Sequence, residues 1–137
     1  MKKVIIILFL FILTSSCSKL NFFGFGKEKN EFDKLKINEY LWIASNELLK
    51  NYTNTQSNLK EGTISTDWFT AKKAPNIRFR ITIYILGPDL YEENIEIFTE
   101  KQLNQNGIWK QQQISGAFNI HLKKRIILNA TSLDPEQ

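Results

Sequence analysis

Alternating apolar and polar residues in the second half of the chain are typical of an antiparallel β-sheet. The clearest strand is predicted over residues 78–86. One of its faces is entirely apolar and carries Phe79, Ile81, Ile83 and Ile85. The other face carries Arg78, Arg80 and Tyr84, so we expect that face to be exposed to solvent or to contact a partner.

A shorter strand is predicted over residues 63–69, after a turn at Gly62. Glycine adopts the positive φ of a tight turn at no steric cost. Alternation along this strand places Ile64, Thr66 and Trp68 on one face, and Thr63, Ser65, Asp67 and Phe69 on the other. Residues 70–76, which include Pro75, are predicted to form a loop, and the polar residues 52–59 an edge strand.

Two further strands, 94–103 and 108–113, are predicted to form a hairpin around an Asn-Gly pair. A two-residue turn would set Leu103 opposite Lys110. A three-residue loop, with the glycine in the left-handed conformation, sets Leu103 opposite Trp109 instead. The apolar pairing favours the three-residue loop with its bulge.

Apolar residues at helical spacing predict one helix before the sheet and one after it. The first is predicted from Asn38, a candidate N-cap, to about Lys50. The second runs from Ser115 or Ala117 to about Leu133. Its predicted buried stripe is Leu122, Ile126, Ile127, Ala130 and Leu133. The elements together predict an α+β fold: an antiparallel sheet of four to five strands, covered on one face by an N-terminal and a C-terminal helix.

The N-terminus has the layout of a secretory signal peptide. Two lysines precede ten consecutive apolar residues, and small polar residues then lead to Cys17. Ten residues rise only about 15 Å as a helix, roughly half the apolar thickness of a bilayer, so a permanent membrane span is disfavoured. The predicted organisation is a signal peptide over 1–16, a tether over 17–30, and a single α+β domain over 31–137.

Composition and charge narrow the classes of partner. The 137-residue chain has 18 basic and 14 acidic residues, a net charge of +4. Removal of the signal peptide would take away two lysines and leave a net charge of +2, which is too weak to predict nucleic-acid binding. Cys17 is the only cysteine, so an intramolecular disulfide is excluded and the fold depends on its core.

The inventory of reactive side chains does not predict an enzyme. His121 is the only histidine, and no glycine-rich phosphate loop or nucleophile motif is present. We expect no metal and no cofactor. Asp67, beside Trp68, is the one suggestive acid. It could hold a ligand or a partner arginine, but we favour a structural role in which it accepts hydrogen bonds from Arg78 or Arg80. The candidate partner-binding or ligand-binding residues are Asp67, Trp68, Arg78 and Arg80.

The small residues before Cys17 resemble the lipobox of bacterial lipoproteins, although Thr14 stands where that motif usually has leucine. This resemblance implies that Cys17 is acylated and becomes the first residue of the mature protein. Ser18 is not the acidic residue that retains such lipoproteins on the inner membrane. The resemblance therefore implies an anchor in the outer membrane, with the domain facing the periplasm.

The folded region resembles a family of bacterial lipoproteins described only as a domain of unknown function. The residues that carry the resemblance are Tyr40-Leu41-Trp42, the run from Gly62 to Trp68, the strand from Arg78 to Leu86, and the final helix. The Gly62–Trp68 run and the arginine-rich strand are also distantly similar to BamC lipoproteins, accessory subunits of the β-barrel assembly machinery. That likeness implies a helix-grip fold, in which an antiparallel sheet grips a long helix, and it brings no catalytic residues.

Two functions are consistent with these observations. The first is a non-catalytic protein-binding or accessory module in envelope assembly, with outer-membrane assembly proteins as partners. The alternative is a lipid or small-molecule binding protein that uses a cavity between sheet and helix. A hydrolase is disfavoured by the residue inventory.

Overall fold

A computed structural model describes residues 31–136, whose strands form one six-stranded antiparallel sheet. The elements in chain order are α1 (Glu39–Lys50), β1 (Thr55–Asn58), β2 (Thr63–Thr66), β3 (Phe69–Ala71), β4 (Ala74–Ile85), β5 (Ile95–Gln105), β6 (Ile108–Gln112) and α2 (Gly116–Leu133). Residues 31–35 are also helical. The predicted signal peptide, Cys17 and the tether lie outside the described residues.

The strand order is β1-β2-β4-β5-β6, and β3 pairs with β4 beyond the end of β2. The α+β class is confirmed, but six strands replace the predicted four to five. Part of the difference lies in residues 70–76, which were predicted to form a loop. Only Lys72 and Lys73 form the turn, and the rest of this segment belongs to β3 and β4. Pro75 is tolerated because pairing of β4 with β5 begins at Ile77, so the missing N–H breaks no bond to β5.

The predicted strand over 63–69 is interrupted at Asp67 and Trp68. The chain advances four residues from Ser65 to Phe69, whereas their partners on β4, Thr82 and Phe79, are three residues apart. One extra residue is therefore accommodated between β2 and β3, as in a β-bulge.

The extra residue reverses the face on which the following side chains lie. Ile64 and Thr66 share a face as predicted, and both are buried. The Thr66 hydroxyl accepts a 3.0 Å hydrogen bond from the Ile81 N–H at the interruption. Beyond it, Phe69 packs against the core, with its ring 5.9 Å from that of Phe79. Trp68 points to the opposite side of the sheet. The prediction that Trp68 shares a face with Ile64 was wrong.

The β5–β6 hairpin uses a two-residue turn rather than the favoured three-residue loop. Asn106 and Gly107 have φ values of 54° and 85°, and Gln105 pairs with Ile108 across the turn. Two central residues with positive φ match the type I′ turn, whose twist suits a hairpin. Leu103 is therefore opposite Lys110, and Asn104 is opposite Trp109.

Helices α1 and α2 both begin at side-chain caps. The Asn38 Oδ1 accepts a 2.8 Å hydrogen bond from the Leu41 N–H, which confirms the predicted N-cap of α1. Ser115 caps α2 by accepting from the Ala117 N–H. The predicted stripe of α2 is buried at Leu122, Ile126 and Ala130, while Ile127 is half-buried and Leu133 is exposed.

One buried apolar cluster joins the helices to the sheet. Its members are Phe32, Ile37, Leu41, Ala44, Leu48, Leu49, Ile64, Ile81, Ile83, Ile85, Ile95, Leu122, Ile126 and Ala130. Alternate residues of β4 supply three of them, Ile81, Ile83 and Ile85. The side chains between these on β4 point away from the core.

Candidate functional site

The face of the sheet opposite the core, here called the open face, brings arginine and tryptophan side chains together. On β4 this face carries Arg78, Arg80, Thr82 and Tyr84, and the register sets Gln102, Glu100, Phe98 and Glu96 of β5 opposite them. Phe98 is 56% exposed and Tyr84 37% exposed. A sheet face with exposed aromatic side chains is a candidate interaction surface.

Four of the side chains form a cation–π cluster, which we call the Trp–Arg cluster: Trp68, Arg78, Arg80 and Trp109. The guanidinium carbon of Arg78 lies 4.5 Å from the centroid of the Trp68 ring and 4.3 Å from that of Trp109. The guanidinium carbon of Arg80 lies 4.9 Å from the Trp68 centroid. Tryptophan is the aromatic residue that attracts a cation most strongly, so these contacts hold the two arginines against the sheet.

Strand β5 orients both guanidinium groups through their Nε atoms. Arg78 Nε donates a 2.9 Å hydrogen bond to Gln102 Oε1, and Gln102 Nε2 donates in turn to Gln111 Oε1 of β6 at 3.3 Å. Arg80 Nε donates to Glu100 Oε2, which is also its ion-pair partner. The hydrogen bond to Glu100 raises the pKa of Arg80, and desolvation opposes that rise. Arg78 thus has a neutral acceptor, whereas Arg80 has a charged one.

Asp67 does not accept the hydrogen bonds predicted for it. Gln102 and Glu100 accept from Arg78 and Arg80 instead, and within residues 31–136 the exposed Asp67 side chain makes no hydrogen bond or ion pair. Its main-chain N–H donates to the Asn54 carbonyl at 3.0 Å. That bond ties the β2–β3 connection to the segment before β1.

Two depressions adjoin these residues. A polar one of about 530 Å³ is bordered by Asp67, Trp68 and Arg80, with the hydrogen-bonded Ser65 and Thr82 hydroxyls also in its lining. The second, of about 600 Å³, is a groove between β5 and α2. Its lining includes Phe98 and Tyr84 from the sheet, and Ile120 and Lys123 from the helix.

Three of the four residues predicted as a site are therefore brought together around Trp68. Trp68 touches both Arg78 and Arg80, and Asp67 borders the adjoining depression. Sequence reasoning missed Trp109, Glu100 and Gln102. The Asn-Gly pair, a strong signal for a two-residue hairpin, would have placed Trp109 on the face that carries the arginines.

Two further observations concern the described part of the chain. Between residues 31 and 136, no three His, Cys, Asp or Glu side chains are grouped so as to hold a metal ion. Over the same residues, no helix has the length and apolar character needed to cross a membrane. His121 is exposed on α2.

This α+β chain belongs to the family described as a domain of unknown function, DUF3576, whose model matches residues 35–134. It is 26% identical over 111 residues to the uncharacterised protein RP420 of Rickettsia prowazekii (strain Madrid E). That alignment covers 79% of this chain and 66% of the relative, so the chain spans slightly less than two thirds of the relative's length. No solved structure matches the chain.

Proposed function

We propose that the protein is an outer-membrane lipoprotein, facing the periplasm, whose folded domain docks a protein partner. In this proposal it acts without catalysis, as an accessory module in envelope assembly. The leader and the small residues before Cys17 support the lipid anchor. An acyl chain at Cys17 would hold the domain beside a bilayer and raise its effective concentration toward membrane-bound partners.

The Trp–Arg cluster is the observation that carries the docking proposal. Tryptophan and arginine are the residue types that most often dominate binding energy at protein interfaces. Trp68, Arg78 and Trp109 are each half-buried, so they are already ordered and still expose surface to a partner. Because cross-strand bonds fix both guanidinium groups before binding, little side-chain entropy is lost when a partner arrives.

The likeness to BamC lipoproteins supports the kind of partner that we propose. It rests on the Gly62–Trp68 run and the arginine-rich strand, and these two segments contribute Trp68, Arg78 and Arg80 to the cluster. It also suggests a helix-grip arrangement, with which the shared core of sheet and helix residues is compatible. Subunits of the barrel-assembly machinery are therefore the first partners to test.

Affinity capture from solubilised envelopes tests the docking proposal. Wild-type full-length protein should co-purify with barrel-assembly subunits, and Trp68→Ala should lose them. Leu128→Ala is the matched control, because Leu128 is 70% exposed on α2, away from the cluster. Equal recovery with wild type and Trp68→Ala would refute docking through the open face.

The lipid anchor has a separate test. Growth with a palmitate analogue should label the wild-type protein and leave Cys17→Ala unlabelled. Label that persists in Cys17→Ala would contradict the assignment of the acylation site.

The groove between β5 and α2 favours a second candidate function, the binding of a lipid or small apolar molecule. Its volume of about 600 Å³ and its Phe98 and Ile120 side chains suit an acyl chain. Native mass spectrometry of the purified protein should then reveal a bound lipid that Ile120→Glu removes. A protein that carries no lipid would exclude this candidate.

A further inference from the structure

We propose that Arg78 binds a single carboxylate group presented by the protein partner. This inference rests on the proposed docking function and names the chemistry that the open face recognises. The carboxylate would come from an Asp or Glu side chain, or from the C-terminus of the partner.

The geometry of Arg78 leaves one part of its guanidinium group available. The two indole rings approach the guanidinium carbon at 4.5 and 4.3 Å, and Nε is used by Gln102. Within residues 31–136, the terminal nitrogens of Arg78 have no hydrogen-bond partner. They form a planar pair of donors that matches the two oxygens of a carboxylate.

The charges around Arg78 favour an anion at that edge. Its acceptor, Gln102, is neutral, so the positive charge is not balanced within the pair. Arg80 differs, because Glu100 neutralises it. A carboxylate at Arg78 would complete an ion pair that the described residues do not supply.

The same charges disfavour an extended polyanion such as an anionic bilayer or a nucleic acid. Three carboxylates, those of Asp67, Glu96 and Glu100, lie on or border the open face beside two arginines. This face therefore has no excess of positive charge, and a surface with many negative groups would meet repulsion around the one favourable contact. A protein segment with one acid between apolar residues avoids that repulsion.

The indole rings specify the neighbours of the carboxylate. Trp68 and Trp109 are half-buried, so part of each ring remains available beside the guanidinium edge. Apolar or aromatic side chains next to the acid would cover this surface and exclude water from the ion pair, which strengthens it. The segment we propose is thus an acidic residue, or a carboxyl terminus, flanked by apolar residues.

Site-specific photo-crosslinking tests the proposal in the full-length, membrane-anchored protein. Benzoylphenylalanine would replace Thr70, an exposed residue that pairs with Arg78 across β3 and β4. A second preparation would carry it at Leu128 as the control. Mass spectrometry of the crosslinked peptides would identify the partner segment and show whether its acid is a side chain or a C-terminus.

The partner acid would then be changed to its amide and combined with Arg78→Gln. We expect each change alone to weaken binding about tenfold or more, because each leaves a charged group without its partner. The two together should cost little more than either alone. Arg78→Lys keeps the charge but not the paired donors, so it should retain only part of the affinity. Arg125→Gln, at an exposed position on α2, should bind like wild type. Urea midpoints of all variants would separate lost binding from lost folding.

The outcomes distinguish this inference from the docking function. Crosslinking at Thr70 to a segment whose acids can be changed without loss of binding overturns the carboxylate assignment and leaves docking intact. An absence of any protein crosslink at Thr70 overturns both. Binding to phosphatidylglycerol vesicles that Arg78→Gln abolishes, with no protein crosslink, would identify a membrane surface as the ligand and also overturn the proposal.

Discussion

Replacing Gly62 by alanine tests how tightly the turn before β2 is held against the end of β4. Gly62 has a φ of +64°, its N–H donates to the Leu59 carbonyl at 3.1 Å, and its own carbonyl accepts from the Ile85 N–H at 2.8 Å. A Cβ atom at this position would lie 2.5 Å from the Ile85 carbonyl oxygen. Because that oxygen belongs to the main chain of a paired strand, it cannot rotate away.

The expected cost has two parts. Left-handed backbone costs a non-glycine residue roughly 1–2 kcal/mol. Relief of the contact requires the turn or β4 to shift, which weakens the bond between Gly62 and Ile85 and disturbs a core side chain, and such overpacking costs about 1–3 kcal/mol. We therefore expect Gly62→Ala to lower the free energy of unfolding by about 2–5 kcal/mol. That is a large share of the roughly 5–15 kcal/mol of a typical domain.

Gly107 provides the matched control. Its φ is +85°, but a Cβ there would meet no atom within 4 Å. Gly107→Ala should cost only the backbone term, about 1–2 kcal/mol. Urea unfolding of the full-length protein in a non-ionic detergent, followed by tryptophan fluorescence, measures both. Equal midpoints for the two variants would show that the close approach at Ile85 does not constrain the fold, and the reasoning would fail.

Three other substitutions test the fold and the cluster by the same unfolding assay. Asn38→Ala should lower the free energy of unfolding by about 2 kcal/mol, because it removes both the helix cap and the 2.9 Å bond from Asn38 Nδ2 to the Pro88 carbonyl. Asn38→Asp keeps the cap and should lower it less. A larger loss for Asn38→Asp than for Asn38→Ala would contradict the role of the cap. Glu100→Gln should cost less than about 1 kcal/mol, since the side chains of Arg80 and Glu100 are 42% and 21% exposed. The pKa of Arg80 is raised in the folded protein. The contribution of the Arg80–Glu100 pair to the free energy of unfolding is therefore fully present below the pKa of arginine in the unfolded chain, and it is lost only as the pH rises through the still higher folded pKa. The difference between wild type and Glu100→Gln should therefore stay constant from about pH 6 to 9, and a marked change would implicate another titrating group. Trp109→Ala should cost about 1 kcal/mol in stability yet reduce partner capture; unchanged capture would remove Trp109 from the docking surface.

Features set by local chemistry could be predicted from the sequence. The asparagine cap of α1, the positive φ of Gly62 and the buried alternate residues of β4 follow from one residue and its immediate neighbours. The α+β class follows from the periodicities. The predictions failed where a strand was assumed to continue without interruption, as between β2 and β3, because the residue pattern there fits an unbroken strand equally well.

The two tryptophans of the cluster show why the site was harder to predict than the fold. A one-residue change of register moves every following side chain to the other face of a sheet. The extra residue between β2 and β3 moves Trp68 away from the core, and the two-residue turn after β5 does the same for Trp109. We predicted an unbroken strand over residues 63–69 and a three-residue hairpin loop, and these two features would have put both indoles on the core face.

Arg78, by contrast, is placed by the regular alternation of β4 alone. The cluster therefore depends on one bulge and one two-residue turn, which bring the indoles to an arginine whose position is fixed by the uninterrupted strand β4. A bulge disrupts local ladder pairing, and the Ile81 N–H at this interruption is satisfied by the Thr66 side chain rather than by a main-chain carbonyl. Deletion of Asp67 would make the two segments equal in length, so Phe69 would still pair with Phe79 on the core side and Trp68 would stay on the open face without a bulge. With Asp67 present, an unbroken strand would instead turn Trp68 to the core side and expose Phe69, so it is the bulge that keeps this indole beside the two arginines.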